Sequence, residues 1–243
     1  MIERFTSADA VGEAAARAVA TRLADGLAQR GRASLVATGG RAPGPVYDHL
    51  QDAKLDWARV VTTLSDERCV AGESEDSNAH LLHARLLRGA TARSAFLPLW
   101  RDDARPPELE PAIRALAPFD AVLLGMGEDG HIASLIPGMP GLAQALDLRS
   151  EQLVVDVPAG LGSPPVARIS LTLAALSQAR LVLLLIAGET KRQVVEQARE
   201  GGDLPVAVLL AQDRAPVRIL WSPRHEERRS GDVKADIKQA RGS

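Results

Sequence analysis

The residues best suited to chemistry lie in one glycine-rich segment of the chain, residues 119–138. The apolar run Ala121–Leu124 is followed there by Gly125, Asp129 and His131. An imidazole exchanges a proton near neutral pH, and a neighbouring carboxylate can fix its tautomer. An isolated histidine is more often an inert ring. The glycine-rich setting favours instead a general acid–base group, His131, which Asp129 orients.

The same segment matches a cofactor-binding spacing. Residues 125–130 read G-x-G-x-x-G, the spacing of dinucleotide-binding loops. That fingerprint needs its third glycine in a crossover helix, and Pro137, Gly138, Pro140 and Gly141 interrupt the chain soon afterwards. We therefore expect a loop, and we expect the protein to use no cofactor. A dehydrogenase stays a minor alternative that NAD titration would test.

A second segment combines paired glycines with a cation. Gly39, Gly40 and Arg41 follow the apolar run Ser34–Ala37. Glycines let a ligand approach the backbone, and the amides that open a following helix can hold an anion. A guanidinium beside such amides suits phosphate, so we expect these residues to bind one. A tight turn without a ligand is the competing interpretation.

Charged residues also follow other apolar runs. Asp66, Glu67 and Arg68 come after the run Val60–Leu64, and the pair of acids would position the Arg68 guanidinium where negative charge develops. Arg168 and Lys191 each lie where an apolar run meets a turn. A lysine in the first turn of a helix is unfavourable unless an anion binds there. Solvated turns and ordinary surface charges are the alternatives for each segment alone.

These residues need a scaffold that brings several strand ends together. Short apolar runs alternate with segments of helical period, which is the pattern of a mostly parallel sheet covered on both faces. The predicted strands are Ser34–Ala37, Val60–Leu64, Ala95–Leu99, Ala121–Leu124, Leu153–Val157, Leu181–Ala187 and Val217–Trp221. The predicted helices are Asp9–Gln29, Val46–Asp52, Ser77–Arg88, Glu108–Leu116, Leu173–Ser177 and Thr190–Arg199.

The predicted organisation is a single α/β domain over residues 1–223. Gly31 is expected to cap the first helix and Ser77 the helix that follows Arg68. Residues 224–243 are charged and lack apolar periodicity, which predicts a mobile or loosely docked tail. In open α/β sheets ligands bind at the carboxyl ends of the strands, where the charged segments lie.

Composition excludes several classes of function. Of 243 residues, 29 are Lys or Arg and 31 are Asp or Glu, so the net charge of −2 argues against a nucleic-acid binder. The single cysteine, Cys69, allows no intrachain disulfide. The start of the chain lacks the pattern of a secretory signal, and no apolar stretch is long enough to cross a bilayer. We therefore predict a cytoplasmic protein without membrane partners.

Other catalytic chemistries have weaker support. No Gly-x-Ser-x-Gly occurs in the chain, which disfavours a serine hydrolase. Cys69 alone is more typical of an inert, partly buried thiol. His80 and His83 have a spacing able to share a metal, but without a third ligand we expect them to face solvent and predict no metal site.

In this order the segments resemble the 6-phosphogluconolactonase family, with the related glucosamine-6-phosphate deaminases as nearer cousins. The most specific parts are Asp66-Glu67-Arg68 with Ser77-Asn78, and residues 125–135, GMGEDGHIASL. Deaminases typically have Asp-Glu-Tyr where this chain has Arg68, and Phe-Asn-Glu-Pro where it continues from Ser134 to Pro137. These differences favour the lactonase branch.

The resemblance implies a Rossmann-like three-layer α/β/α fold and hydrolysis of 6-phosphogluconolactone in the oxidative pentose phosphate pathway, without a cofactor. It implies that His131 is the catalytic histidine and Arg68 an active-site arginine. Gly39, Gly40, Arg168 and Lys191 correspond to the substrate-phosphate region. Where the family usually has Ser-Thr-Pro after the glycines, this chain has Arg41-Ala42-Pro43, which loses two hydroxyl donors.

Two alternatives stay open from the sequence. A deaminase-like isomerase would release ammonia, and a non-catalytic sensor would bind phosphorylated sugars without turnover. A phosphorylated sugar is the expected small-molecule partner in all these cases. The oligomeric state, a monomer or a weak dimer, is not decided by the residues.

Overall fold

The apolar runs predicted as strands form the centre of the structure. The computed structural model describes residues 1–101 and 106–223. Its strands are β1 (Ile2–Arg4), β2 (Ala33–Ala37), β3 (Val60–Leu64), β4 (Asp66–Arg68), β5 (Ala95–Phe96), β6 (Ala121–Leu124), β7 (Val154–Val157), β8 (Arg168–Leu171), β9 (Val182–Ala187) and β10 (Val217–Ser222). Its helices are α1 (Ala8–Arg30), α2 (Gly44–Leu50), α3 (Asn78–Arg85), α4 (Pro106–Leu116), α5 (Leu142–Leu146), α6 (Leu173–Leu176), α7 (Glu189–Ala198) and α8 (Pro205–Ala211).

Seven strands make a parallel sheet in the order β1-β10-β9-β6-β2-β3-β5. Every residue of β2 and β6 is buried, because the central strands are covered on both faces. The predicted α/β fold, a Rossmann-like three-layer arrangement with a mostly parallel sheet, is confirmed.

The order of the strands reverses at one point in the sheet. From β2 the chain builds outward through β3 and β5, and it then returns to place β6 on the other side of β2. In such sheets the crevice at the carboxyl ends of the two strands flanking the reversal is the usual ligand site. The loops after β2 and β6 carry Gly39 and His131, so two predicted site segments meet there.

A second sheet of three antiparallel strands, in the order β4-β8-β7, corrects several predictions. Leu153–Val157 was expected in the parallel sheet, but its strand pairs in this smaller sheet. Asp66–Arg68 is a strand, where no element was predicted and a solvated turn was the competing interpretation, and Arg168 begins a second strand that was not predicted. Short strands with polar residues give a weak periodic signal, and their partners lie far away in the chain.

The helices follow the predictions closely at their caps. Gly31 ends α1 in a left-handed conformation with φ of 70°, and its N–H donates to Leu27 O. The Ser77 hydroxyl accepts from His80 N and caps α3. The predicted strand Ala95–Leu99 is only two residues long, and β1, α5 and α8 were missed.

One connected core of buried apolar side chains runs from Val11 to Leu220. On this ground we propose that residues 1–223 form a single domain. The predicted tail, residues 224–243, lies outside the described residues. Within residues 1–101 and 106–223, no helix combines the length and the apolar character needed to cross a membrane.

Candidate active site

A cavity of about 540 Å³ opens at the carboxyl edge of the parallel sheet. Its lining includes eight of the nine residues predicted from the sequence: Gly39, Gly40, Arg41, Asp66, Arg68, His131, Arg168 and Lys191. The ninth, Asp129, is not among the lining residues and contacts His131 instead. Five stretches that are separate in sequence are therefore brought into one cavity.

His131 and Asp129 form a hydrogen-bonded pair. His131 Nδ1 lies 2.7 Å from Asp129 Oδ1, and the His131 backbone N–H donates to the same oxygen at 3.2 Å. Because the carboxylate accepts, it favours the tautomer with the hydrogen on Nδ1 and leaves the Nε2 lone pair available. The imidazole is about a quarter exposed, so a ligand can reach it.

The backbone of the segment after β6 is shaped to hold this pair. Gly127 N–H donates to His131 O at 2.9 Å and closes a tight loop. A Cβ on Gly127 would lie 2.3 Å from both Asp129 Oδ1 and His131 Nδ1, so only glycine fits beside the pair. No helix follows Gly130 until Leu142, as expected for a loop that is not a dinucleotide fingerprint.

The segment carries a second conformational feature, at Ala133. This alanine lies in the left-handed region with φ of 48° and lines the cavity. Residues other than glycine adopt that backbone conformation at a cost of about 1–2 kcal/mol. Its neighbours on either side, Ile132 and Ser134, are fully buried, so packing holds the strained residue in place.

Arg68 and Arg168 face each other across the small antiparallel sheet, as cross-strand partners of β4 and β8. The Nε atoms of both side chains are buried without a hydrogen-bond partner among the described residues. Burial first, and then the neighbouring Arg68 guanidinium, lower the pKa of Arg168 from its ordinary value. Two adjacent cations with unused donors form an arrangement that an anion would stabilise.

Buried hydroxyls tie Asp66 to this region. Its carboxylate accepts from Ser65 Oγ at 2.7 Å and from Ser134 Oγ at 2.6 Å. Arg168 Nη1 lies 3.4 Å from the same Ser134 hydroxyl, and its Nη2 donates to Pro164 O at 2.8 Å. The serines were not predicted as site residues, because their contacts to Asp66 and Arg168 appear only in the folded chain.

Glu67 is buried beneath the cavity and caps helix α3. It accepts from the backbone N–H groups of Arg68, Asn78 and Ala79, each at 2.7 Å, and from the Ser77 hydroxyl. Burial raises the pKa of the Glu67 carboxyl, and these hydrogen bonds oppose the rise. The residue therefore fixes α3 against β4 and does not line the cavity.

A buried tyrosine holds the loop that contains Gly39 and Gly40 through two hydrogen bonds. Tyr47 Oη donates to Thr38 O at 2.5 Å and accepts from Thr38 N at 2.9 Å. Gly40, two residues later, has a φ of 85°, which favours glycine. Lys191, which also lines the cavity, lies in the first turn of α7, as predicted. The glycine loop and Lys191 therefore bring backbone amides and a cation to one cavity.

Other candidate groups lie elsewhere. His80 and His83 are exposed on α3, as expected, and the edge of His83 contacts Phe96. Among residues 1–101 and 106–223, no three histidine, cysteine or acidic side chains cluster as a metal site would require. A cavity of about 480 Å³ at the opposite end of the strands is lined by Met1, Arg199 and Val217, among others, and none of its lining residues in the described part of the chain is a histidine.

Comparisons with known proteins identify similar sequences and structures. A family model described as glucosamine-6-phosphate isomerases/6-phosphogluconolactonase matches residues 6–221. A 6-phosphogluconolactonase of Caulobacter vibrioides is 41% identical over 225 residues, covering 91% of this chain and 97% of the relative. One of Pseudomonas putida is 37% identical, covering 91% and 93%.

Solved structures agree with this similarity. The structure of a 6-phosphogluconolactonase from Shewanella baltica superimposes with a TM-score of 0.83 at 32% identity, covering 91% of this chain and 97% of that one. A monomeric glucosamine-6-phosphate deaminase has a TM-score of 0.70 at 20% identity, covering 92% and 97%. The latter is similar in fold alone.

Proposed function

Because the chain belongs to the family of glucosamine-6-phosphate isomerases and 6-phosphogluconolactonases, we propose that the cavity centred on His131 is the site of the family's lactonase reaction. The enzyme hydrolyses 6-phospho-D-glucono-1,5-lactone to 6-phospho-D-gluconate in the oxidative pentose phosphate pathway. The lactonase assignment follows the relatives, which are 34–41% identical to this chain.

In the proposed mechanism His131 is the general base and then the general acid. Water attacks the lactone carbonyl carbon while its proton passes to His131 Nε2, which gives a tetrahedral oxyanion. When that intermediate collapses, the bond from the carbonyl carbon to the ring oxygen breaks. The proton on Nε2 passes to the departing oxygen. Asp129 holds the imidazole through Nδ1 in both steps.

The cations of the cavity bind the phosphate of the substrate and the oxyanion that forms during the reaction. Arg68 stabilises the oxyanion or clamps the substrate near it. Arg168, Lys191 and the amides of Gly39 and Gly40 bind the phosphate, and Arg41 stands where the family usually has hydroxyls. The unused Nε donor of Arg168 supports this role. Fixing the remote phosphate places the carbonyl against His131.

Asp66 was predicted to bind substrate, and this assignment stays a prediction. Both of its carboxylate oxygens accept from serine hydroxyls, and a carboxylate beside a phosphate is repulsive. These contacts favour a role in which Asp66 positions Ser134 and Arg168. A cytoplasmic location also belongs to the proposal, because a doubly charged phosphate ester does not cross a bilayer unaided.

The observation that carries the proposal is that His131, hydrogen-bonded to Asp129, lines one cavity with Arg68, Arg168 and Lys191. The test measures hydrolysis of freshly generated 6-phosphogluconolactone above the uncatalysed rate, with unphosphorylated gluconolactone as the comparison. We expect His131→Ala to lower kcat by about 10²-fold or more. Wild-type kcat in that variant would refute the role of His131, and released ammonia from glucosamine 6-phosphate would indicate the isomerase reaction instead.

A further inference from the structure

Asn78 has an unused hydrogen-bond acceptor in the wall of the cavity. The residue begins helix α3, lines the cavity and is only 2% exposed. Its Oδ1 atom is buried without a hydrogen-bond partner among the described residues. An unsatisfied buried acceptor costs about 1–3 kcal/mol, so its presence in a native structure calls for a partner.

The orientation of the Asn78 carboxamide is fixed by its other contacts. Nδ2 donates to Asp66 O at 2.8 Å, and the Asn78 backbone N–H donates to Glu67 Oε1 at 2.7 Å. Turning the amide over would set Oδ1 against the Asp66 carbonyl oxygen, which is repulsive because both atoms only accept. The acceptor therefore faces away from Asp66.

The Oδ1 atom faces the glycine loop on the cavity wall. A Cβ built on Gly39 would lie 1.8 Å from Asn78 Oδ1 and 2.4 Å from its Cγ. The carboxamide thus occupies the space that a side chain at residue 39 would fill. Gly39 and Asn78 both line the cavity, so the acceptor lies next to the surface that a ligand contacts.

The chemistry of the other lining groups indicates what this acceptor would bind. Arg68, Arg168 and Lys191 can only donate hydrogen bonds, and they suit phosphate and carbonyl oxygens. The carboxylate oxygens of Asp66 already accept from serines, and the Glu128 carboxylate, which also lines the cavity, is a second acceptor for a hydroxyl. The ring hydroxyls of a sugar lactone are donors as well as acceptors, and they need an acceptor on the protein.

We propose that Asn78 Oδ1 accepts a hydrogen bond from a ring hydroxyl of the lactone, which makes Asn78 a specificity-determining residue. The inference rests on the proposed lactonase function and deepens it. It predicts that the enzyme discriminates against a phosphorylated lactone that lacks that one hydroxyl. Removing the hydroxyl leaves Oδ1 without a partner in the complex as well as in the free enzyme.

The experiment is a double-mutant cycle between the protein and the substrate. Wild type and Asn78→Ala are assayed for kcat/KM on the parent lactone and on its 2-deoxy, 3-deoxy and 4-deoxy forms. We expect wild type to lose about tenfold on one deoxy lactone, the size of a buried neutral hydrogen bond. Asn78→Ala should lose a similar factor on the parent lactone and little more on that deoxy form.

Each outcome decides the proposal. Equal losses by the variant on all four lactones would mean that Asn78 acts only on the protein structure or on a bound water, and would overturn it. Full wild-type activity on all three deoxy lactones would overturn it without any variant. If Asn78→Ala does not fold, Asn78→Ser takes its place in the cycle. No turnover of the parent lactone by wild type would refute the proposed function instead.

Discussion

Replacing Gly127 by alanine tests whether the His131–Asp129 pair is the catalytic centre. The new Cβ would lie 2.3 Å from His131 Nδ1 and 2.4 Å from its Cε1. To reach 3.4 Å, where ordinary contact begins, the ring must move by about 1.1 Å. The backbone at Gly127 is not in the left-handed region, so alanine adds no backbone strain there and the change acts on the side chains of the pair.

The magnitude follows from that displacement. Moving a catalytic group by about 1 Å costs roughly 10²-fold in rate. We therefore expect Gly127→Ala to lower kcat for 6-phosphogluconolactone by about 10²-fold, with a smaller effect on KM. The side chains that must move are partly exposed, at 27% for His131 and 50% for Asp129, so the loss of stability should stay below about 1 kcal/mol.

The matched control is Gly72→Ala, at a glycine that does not line the cavity. A Cβ on Gly72 has nothing within 4 Å, and its backbone is likewise outside the left-handed region. We expect its kcat to stay within about twofold of wild type, as for a change that disturbs no contact. Progress curves corrected for spontaneous hydrolysis measure both variants. Wild-type kcat in Gly127→Ala, with its fold confirmed by circular dichroism, would refute the catalytic role of the pair.

Three further predictions concern binding and stability. Arg168→Lys keeps the positive charge but loses the planar guanidinium donors, so KM should rise about tenfold with kcat little changed. Substrate titration measures both constants, and an equal fall in kcat would place Arg168 at the reacting atoms. Glu67→Gln puts an amide NH₂ group against the backbone N–H donors of α3, so it should lower the free energy of unfolding by about 1–3 kcal/mol. Urea denaturation measures this change, and an unchanged denaturation midpoint would contradict the capping role of Glu67. The hydrogen bonds from Arg218 lower the pKa of Glu3, and this pair links β1 to β10. The stability that the pair contributes to the folded state is therefore present above pH 4.5 and is lost as the pH falls through the lowered pKa. Because the pair is partly exposed, Glu3→Gln should cost at most about 1 kcal/mol at pH 7 and nothing at low pH, and thermal melts at both pH values check this.

The sequence predicted the parts of the site that depend on local geometry. Asp129 and His131 are two residues apart in a glycine loop, so their contact needs no distant partner. The loops after β2 and β6 were predicted to meet because parallel strands end at one edge. In both cases short-range pattern and a general rule of sheet topology were sufficient.

The parts that were missed depend on pairing between distant residues. Arg68 and Arg168 oppose each other only because β4 and β8 pair antiparallel, and each strand is too short to show a period. Ser134 bridges Asp66 and Arg168 through a hydroxyl that nothing in its neighbourhood distinguishes from an ordinary core serine. Such contacts are set by tertiary structure, so no local pattern announces them.

The arrangement of groups around the cavity lowers the stability of the ligand-free protein. Two guanidiniums face each other and Ala133 is held in a strained conformation. The buried Nε donors of these arginines and the Oδ1 acceptor of Asn78 have no hydrogen-bond partner within residues 1–101 and 106–223. Each feature opposes folding by an amount comparable with a lost hydrogen bond. All four of these residues line the same cavity. A phosphorylated, hydroxylated ligand could relieve the charge repulsion and form hydrogen bonds with the unused groups. These unfavourable local features therefore indicate the chemistry of the ligand more specifically than the overall fold does.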